Sequence, residues 1–138
     1  MWRDEEKQGK HRLYRELEDL ASEMNYTIDA VIVEGIHDKK TLNLLGYKKT
    51  IIVCSRRTHH ELTDLIAKKF SHVVILTDFD KQGMVLYKKI ASFLEKKGVE
   101  ADRFYRRRFD KLLKTARIAT IEGIYKIKLD LFSLHRKC

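Results

Sequence analysis

Two apolar, largely β-branched runs in this chain each end abruptly in acid. The first, Ile28-Asp29-Ala30-Val31-Ile32-Val33, delivers Glu34-Gly35 and then Asp38. The second, His72-Val73-Val74-Ile75-Leu76-Thr77, delivers Asp78-Phe79-Asp80 and then Gly83. Such runs read as strands buried on both faces, the habit of parallel sheets covered by helices. In open α/β sheets ligands bind beyond the carboxyl ends of the strands. The pattern therefore gathers Glu34, Asp38, Asp78 and Asp80 at one edge, where like charges need a cation or solvent to coexist.

The remaining elements follow from periodicity. Leu13, Leu17, Leu20 and Met24 fall at helical spacing and predict an amphipathic helix from His11 to Met24. His37 to Leu45 reads as a short helix stopped by Gly46, and Thr50 to Cys54 as a strand. Thr58 followed by Glu61 is a capping-box pattern opening a helix to about Lys69. Lys81 to Lys97 is a helix ended by Gly98, followed by a short strand near Val99 to Asp102 and a basic helix from about Tyr105 to Thr115. Ile118 to Ile121 is expected to be a last strand, with a helical tail from Ile124 onward. Strands alternating with helices mean an α/β fold with a mainly parallel central sheet of four or five strands. The expected organisation is a helical extension over 1–25, a domain over 26–123, and a basic tail over 124–138 packed on it.

Size and charge bound the function. A chain of 138 residues makes one domain with a real core. No apolar stretch approaches the roughly 18–20 residues that span a bilayer. The charged start Met1-Trp2-Arg3-Asp4-Glu5 does not read as a signal peptide, and Cys54 and Cys138 make no disulfide or zinc framework, so a cytoplasmic location without membrane partners is expected. The net charge of +9 is uneven: residues 101–117 hold seven Lys and Arg against Asp102 and Asp110. There Phe104, Tyr105 and Phe109 are interleaved with Arg103, Arg106, Arg107 and Arg108. Such clusters attract polyanions through counterion release. A solvated helix face explains the same charges, but beside an acidic edge a phosphodiester substrate suits both.

Asp78 and Asp80, two apart at a strand end, could aim at one hard cation, and Mg²⁺ commonly takes only one or two protein carboxylates. Gly83 would let the next helix start approach closely and leave backbone donors near a phosphate. A helix-capping Asp beside a surface Asp explains the pair equally simply. Glu34 directly after Val31-Ile32-Val33 is harder to dismiss, because a carboxylate there needs something to satisfy it. Near a metal and two aspartates it could serve as general acid or base, with Gly35 freeing the turn. Asp38 is also what a helix N-terminus favours. His59-His60 reads as an exposed pair near the active edge and Cys54 as a small buried hydrophobe. No Gly-x-Ser-x-Gly elbow, Walker glycine pattern or dinucleotide fingerprint is present.

Val31-Ile32-Val33-Glu34-Gly35 with Asp38, followed by Val73 to Thr77 and Asp78-x-Asp80-x-x-Gly83, resembles the Toprim domain of topoisomerases, bacterial-type primases, recombination mediators and 5S ribosomal RNA maturases. The resemblance covers about residues 26–122, and the spacing leaves room for the helix–strand–helix that the family places between its motifs. It implies a compact, Rossmann-like fold with Mg²⁺, or Mn²⁺ in its place, at the acidic edge. Glu34 then matches the family's acid/base glutamate and Asp78 and Asp80 its metal-binding aspartates. Asp38 matches the extra acid of the primase-like and maturase-like branches. Ile121-Glu122-Gly123 is loosely similar to a Val-Glu step of small maturase-like members, and Glu122 may equally cap the last helix. The chain has neither a topoisomerase gate nor a primase zinc module, and so looks most like the small stand-alone proteins of archaea and bacteria.

The resemblance implies Mg²⁺-dependent cleavage or transfer of phosphodiesters in RNA or DNA, with Arg103, Arg106, Arg107, Arg108 and Lys81 on the nucleic acid, alone or within a larger nucleic-acid-processing complex. The alternative is a non-catalytic nucleic-acid-binding or adaptor module. A haloacid-dehalogenase-type phosphatase also ends a strand in Asp-x-Asp, but needs a later acidic pair at another apolar strand end, which is absent, and Lys81 stands where that motif expects Gly.

Overall fold

The computed structural model describes residues 4–126; the tail expected beyond them lies outside the described residues. The elements run α1 (Asp4–Thr27), β1 (Ala30–Val33), α2 (Ile36–Leu45), β2 (Thr50–Val53), a 3₁₀ turn (Cys54–Arg56), α3 (His59–Lys69), β3 (His72–Ile75), α4 (Lys81–Lys96), β4 (Glu100–Asp102) and α5 (Phe104–Thr115), with a further helical segment beginning at 122. The four strands form an all-parallel sheet in the order β2-β1-β3-β4. Among the described residues no helix is long and apolar enough to cross a membrane.

Both faces of the sheet are covered, which is why β1 and β3 carry no polar alternation. Val31, Val33, Val74 and Leu76 pack against α1, α2 and α5, whereas Ala30, Ile32, Val73 and Ile75 pack against α3 and α4. Each fully buried Val or Ile there contributes on the order of 1.5–3 kcal/mol. The helix expected from residue 11 is longer, starting at Asp4 with Asp4, Glu5 and Glu6 complementing its dipole. Leu13, Leu17, Leu20, Ala21 and Met24 bury its inner stripe in the same core as α2 and α5. Thr58 Oγ1 accepts from the Glu61 N–H at 3.2 Å, capping α3. Gly98, at φ 82°, closes α4 with Gly98 N–H to Glu95 O and Val99 N–H to Leu94 O, the paired bonds of a Schellman ending.

One expected strand does not form. Residues 118–121 cross the carboxyl edge of the sheet, and their one bond toward the strands is Phe79 N–H to Ala119 O at 2.7 Å. Ile121 and Ile124 are buried in the core of α1, α2 and α5, with Ile118 packed against it. These isoleucines recur every third residue, the spacing of a turn entering a helix, where a strand would alternate.

Asp29, the charge inside the first apolar run, belongs to the opposite end of the sheet. Its Oδ2 accepts from Ser71 N–H, Ser71 Oγ–H and His72 N–H at 3.0–3.1 Å, while its own N–H donates to His72 O. The carboxylate thus fixes the start of β1 against β3. The Ser71 backbone bond, outweighing burial, holds its pKa below the ordinary 3.8. A depressed carboxylate stabilises the fold above its unfolded pKa, and that contribution is lost as pH falls through the folded value. Asp29→Ala is expected to cost ~1 kcal/mol in urea unfolding at neutral pH, with the gap to wild type closing below about pH 4.

Candidate active site at the acidic edge

In the order β2-β1-β3-β4 the chain leaves β1 toward one side and returns to β3 on the other, so the gap beyond β1 and β3 is the topological switch point. Glu34 follows β1 and Asp78 lies just past β3, one on each lip of that gap. They are in direct contact: Glu34 Oε2 accepts the Asp78 N–H at 2.6 Å. Burial first, then the charge of Glu34, a hydrogen bond with its carboxyl, and the charges of Asp38 and Asp80 raise the Asp78 pKa to about 7. The two carboxyls titrate as a pair that holds a proton near neutrality.

The other two acids have structural work. Asp80 caps α4, its Oδ1 accepting the Gly83 N–H at 2.7 Å, while its side chain stays exposed at the edge. Asp38 is buried and spends both oxygens on backbone: Oδ2 on Gly35 N–H at 3.0 Å and Oδ1 on Glu122 N–H at 3.2 Å. It ties the start of α2 to the start of the last helix, and burial raises its pKa despite those bonds. Glu122 is thereby drawn to the acidic edge.

Gly83 is required for a reason of space. A Cβ there would overlap the Asp78 carbonyl, so only glycine lets the first turn of α4 press against the Asp78 backbone. Thr77 Oγ1 reinforces the approach by donating to Gly83 O at 2.8 Å. Lys81 is exposed on that same first turn. Cys54, at the end of β2, is buried, and burial followed by the charge of Glu34 pushes its thiol to about 11, so it stays a protonated, unreactive thiol. His59 and His60 open α3, with His60 3.6 Å from Asp64.

The basic helix divides. Arg103, Arg107 and Arg108 are exposed on α5, but Arg106 is buried at 3% exposure and does not join them as a surface contact. β4 pairs with β3 only as far as Val74–Asp102, so the outward carbonyls of Ile75 and Thr77 have no strand partner. The Arg106 guanidinium supplies one: Nη1 donates to Ile75 O, Thr77 O and Thr77 Oγ1 at 3.0–3.2 Å, and Nη2 to Asp78 O at 3.2 Å. Its flat faces lie 4.6 Å from the Phe79 ring and 4.4 Å from Tyr87. Composition cannot show this role, but helical spacing can, since Arg106 shares the inward side of α5 with Tyr105, Phe109 and Leu113.

This donor set suits a hard divalent cation. It offers carboxylate oxygens only, and it leaves Asp78 at about 7 because the nearest cation, Arg106, spends its Nη hydrogens on carbonyls. Among the described residues no three His, Cys, Asp or Glu side chains converge as a cage. The fit is therefore to an ion held by one or two carboxylates with water completing its shell, as Mg²⁺ prefers. Glu34 and Asp78 are the residues placed to hold it, with Asp80 at the rim.

A Toprim domain model matches residues 29–112. UPF0292 proteins of Pyrococcus horikoshii and Pyrococcus abyssi are 35% and 36% identical to this chain over 116 residues, covering 84% of it and 86% of each relative. A UPF0292 protein of Methanosarcina barkeri is 28% identical over 119 residues. A solved Aquifex aeolicus protein superposes with a TM-score of 0.66 at 28% identity, covering 79% of this chain and 95% of that one.

A carboxyl whose folded pKa is raised binds its proton more tightly folded than unfolded, so charging it costs stability as pH rises from about 4 to 7. Asp78→Asn should therefore raise the melting temperature at pH 8 in EDTA and leave it almost unchanged near pH 4. Calorimetry at both pH values checks this; equal shifts at both would show that Asp78 is not crowded by its neighbours.

Proposed function

Since the chain belongs to the Toprim domain family, we propose that it processes nucleic acid by Mg²⁺-dependent cleavage or transfer of phosphodiesters. The observation that carries this reading is the Glu34–Asp78 contact across the switch point, a carboxyl pair that holds one proton near pH 7. Bound Mg²⁺ would supply Lewis-acid polarisation of the phosphate and charge neutralisation.

The chain's own residues supply the rest. The Glu34–Asp78 pair is tuned to take a proton from an attacking hydroxyl and return one to a leaving oxygen, because its titration lies at the working pH. Glu34 is the proton-moving member, as in the resemblance, and Asp78, backed by the rim carboxylate of Asp80, the metal-holding one. Asp38 acts through Gly35 and Glu122 as a positioning residue. Lys81, Arg103, Arg107 and Arg108, all exposed, are assigned to the phosphate backbone.

A binding-only module is favoured by one observation, the absence of a three-ligand cage among the described residues. The two readings separate cleanly. A panel of labelled single- and double-stranded RNA and DNA should be cut with Mg²⁺ and not with EDTA. Glu34→Gln and Asp78→Asn should each slow cutting by at least ~100-fold while leaving salt-sensitive binding intact. Binding without any cutting across the panel would establish the adaptor reading instead.

A further inference from the structure

Behind the acidic edge, α4 and α5 enclose a second cavity of about 370 Å³, within the usual range for small-molecule sites. Its wall is mixed: the ring of Tyr87 with Met84 and Ala91, and around them the cations Lys88, Arg103 and Arg107. Two buried polar atoms on its α5 side have no hydrogen-bond partner, Arg106 Nε and Asp110 Oδ1. The rest of both side chains is committed. Arg106 gives both Nη atoms to carbonyls at the end of β3, and Asp110 Oδ2 pairs with Lys114 at 3.1 Å. What is left is one donor and one acceptor, a helical turn apart on α5, lining an enclosed space. Unpaired buried groups of this kind are costly, and each calls for a partner.

We infer that this cavity is a nucleotide site, distinct from the acidic edge, which takes a nucleobase against Tyr87 and its phosphate among Lys88, Arg103 and Arg107. A bare anion would satisfy Arg106 Nε but would be repelled by Asp110 and would leave the apolar wall unused. An acyl chain would leave both polar atoms unpaired. Every nucleobase presents a donor beside an acceptor on one edge, so the site distinguishes base from phosphate without choosing strongly among bases. Because Arg106 also holds the Asp78 carbonyl, a nucleotide seated on Nε contacts the same side chain that positions the acidic edge. The inference does not depend on a metal or on catalysis.

The test is binding in EDTA, read by backbone amide shifts in nuclear magnetic resonance. The probes are the four ribonucleoside 5′-monophosphates, inorganic phosphate and a five-nucleotide single strand. Saturable shifts confined to α4 and α5 are expected with the monophosphates and not with phosphate. Asp110→Ala should weaken them by about tenfold or more, and Ser92→Trp, at the exposed rim on α4, should abolish them by filling the entrance. Competition by the short strand would assign the site to a nucleotide within a chain, and binding of monophosphates alone would assign it to a free nucleotide. No saturation below ~5 mM, equal shifts with inorganic phosphate, or unchanged binding in both folded variants would overturn the inference. Success or failure here leaves the cutting assay of the acidic edge untouched, so the two readings fall separately.

Discussion

The acidic edge depends on one buried cation. β3 outruns its neighbour β4, and a strand that does so in a buried position leaves carbonyls that nothing in the sheet can satisfy. Arg106 fills that gap with a fixed fork of donors clamped between Phe79 and Tyr87. Burying a guanidinium is expensive without compensation. Here the compensation comes from three carbonyls, a hydroxyl and two aromatic faces, with the charges of Asp110, Glu34 and Asp78 nearby. A lysine could not replace it, since a point-charge ammonium lacks the planar fork.

Several features follow from that anchor. It holds the Asp78 carbonyl from one side while Glu34 holds the Asp78 N–H from the other, so the peptide groups of the residue with the most crowded carboxyl are gripped at both ends. It orients α5 so that Arg103, Arg107 and Arg108 face outward beside the edge. Rigid backbone around a frustrated carboxyl pair is how a protein keeps unfavourable charge available for function, with the cost borne by the surrounding core.

Much of this was legible in the sequence, and the gaps have physical causes. Apolar runs ending in Glu34 and Asp78 announce a buried parallel sheet because no other structure tolerates such runs beside acid. Gly83 was legible as a close approach, although only the structure shows that the Asp78 carbonyl is what it approaches. Arg106 was miscounted with its neighbours because composition sums charge without regard to burial. Its place beside Tyr105, Phe109 and Leu113 was the available signal. Residues 118–121 misled because a four-residue apolar segment carries too little periodicity to separate strand from turn; extending the window to Ile124 reveals the three-residue step. Asp38 illustrates the reverse limit, a motif residue whose oxygens turn out to be occupied by two backbone N–H groups.

The central claim is that Glu34 and Asp78 form one cation site. Titration with Mn²⁺ at pH 8, following the free ion by electron paramagnetic resonance, addresses it without any assumption about substrate. The account predicts saturable binding by the wild-type protein, displaced by excess Mg²⁺ and lost in the Glu34→Gln, Asp78→Asn double variant. Equal Mn²⁺ uptake by wild type and double variant, or none by either, would contradict it.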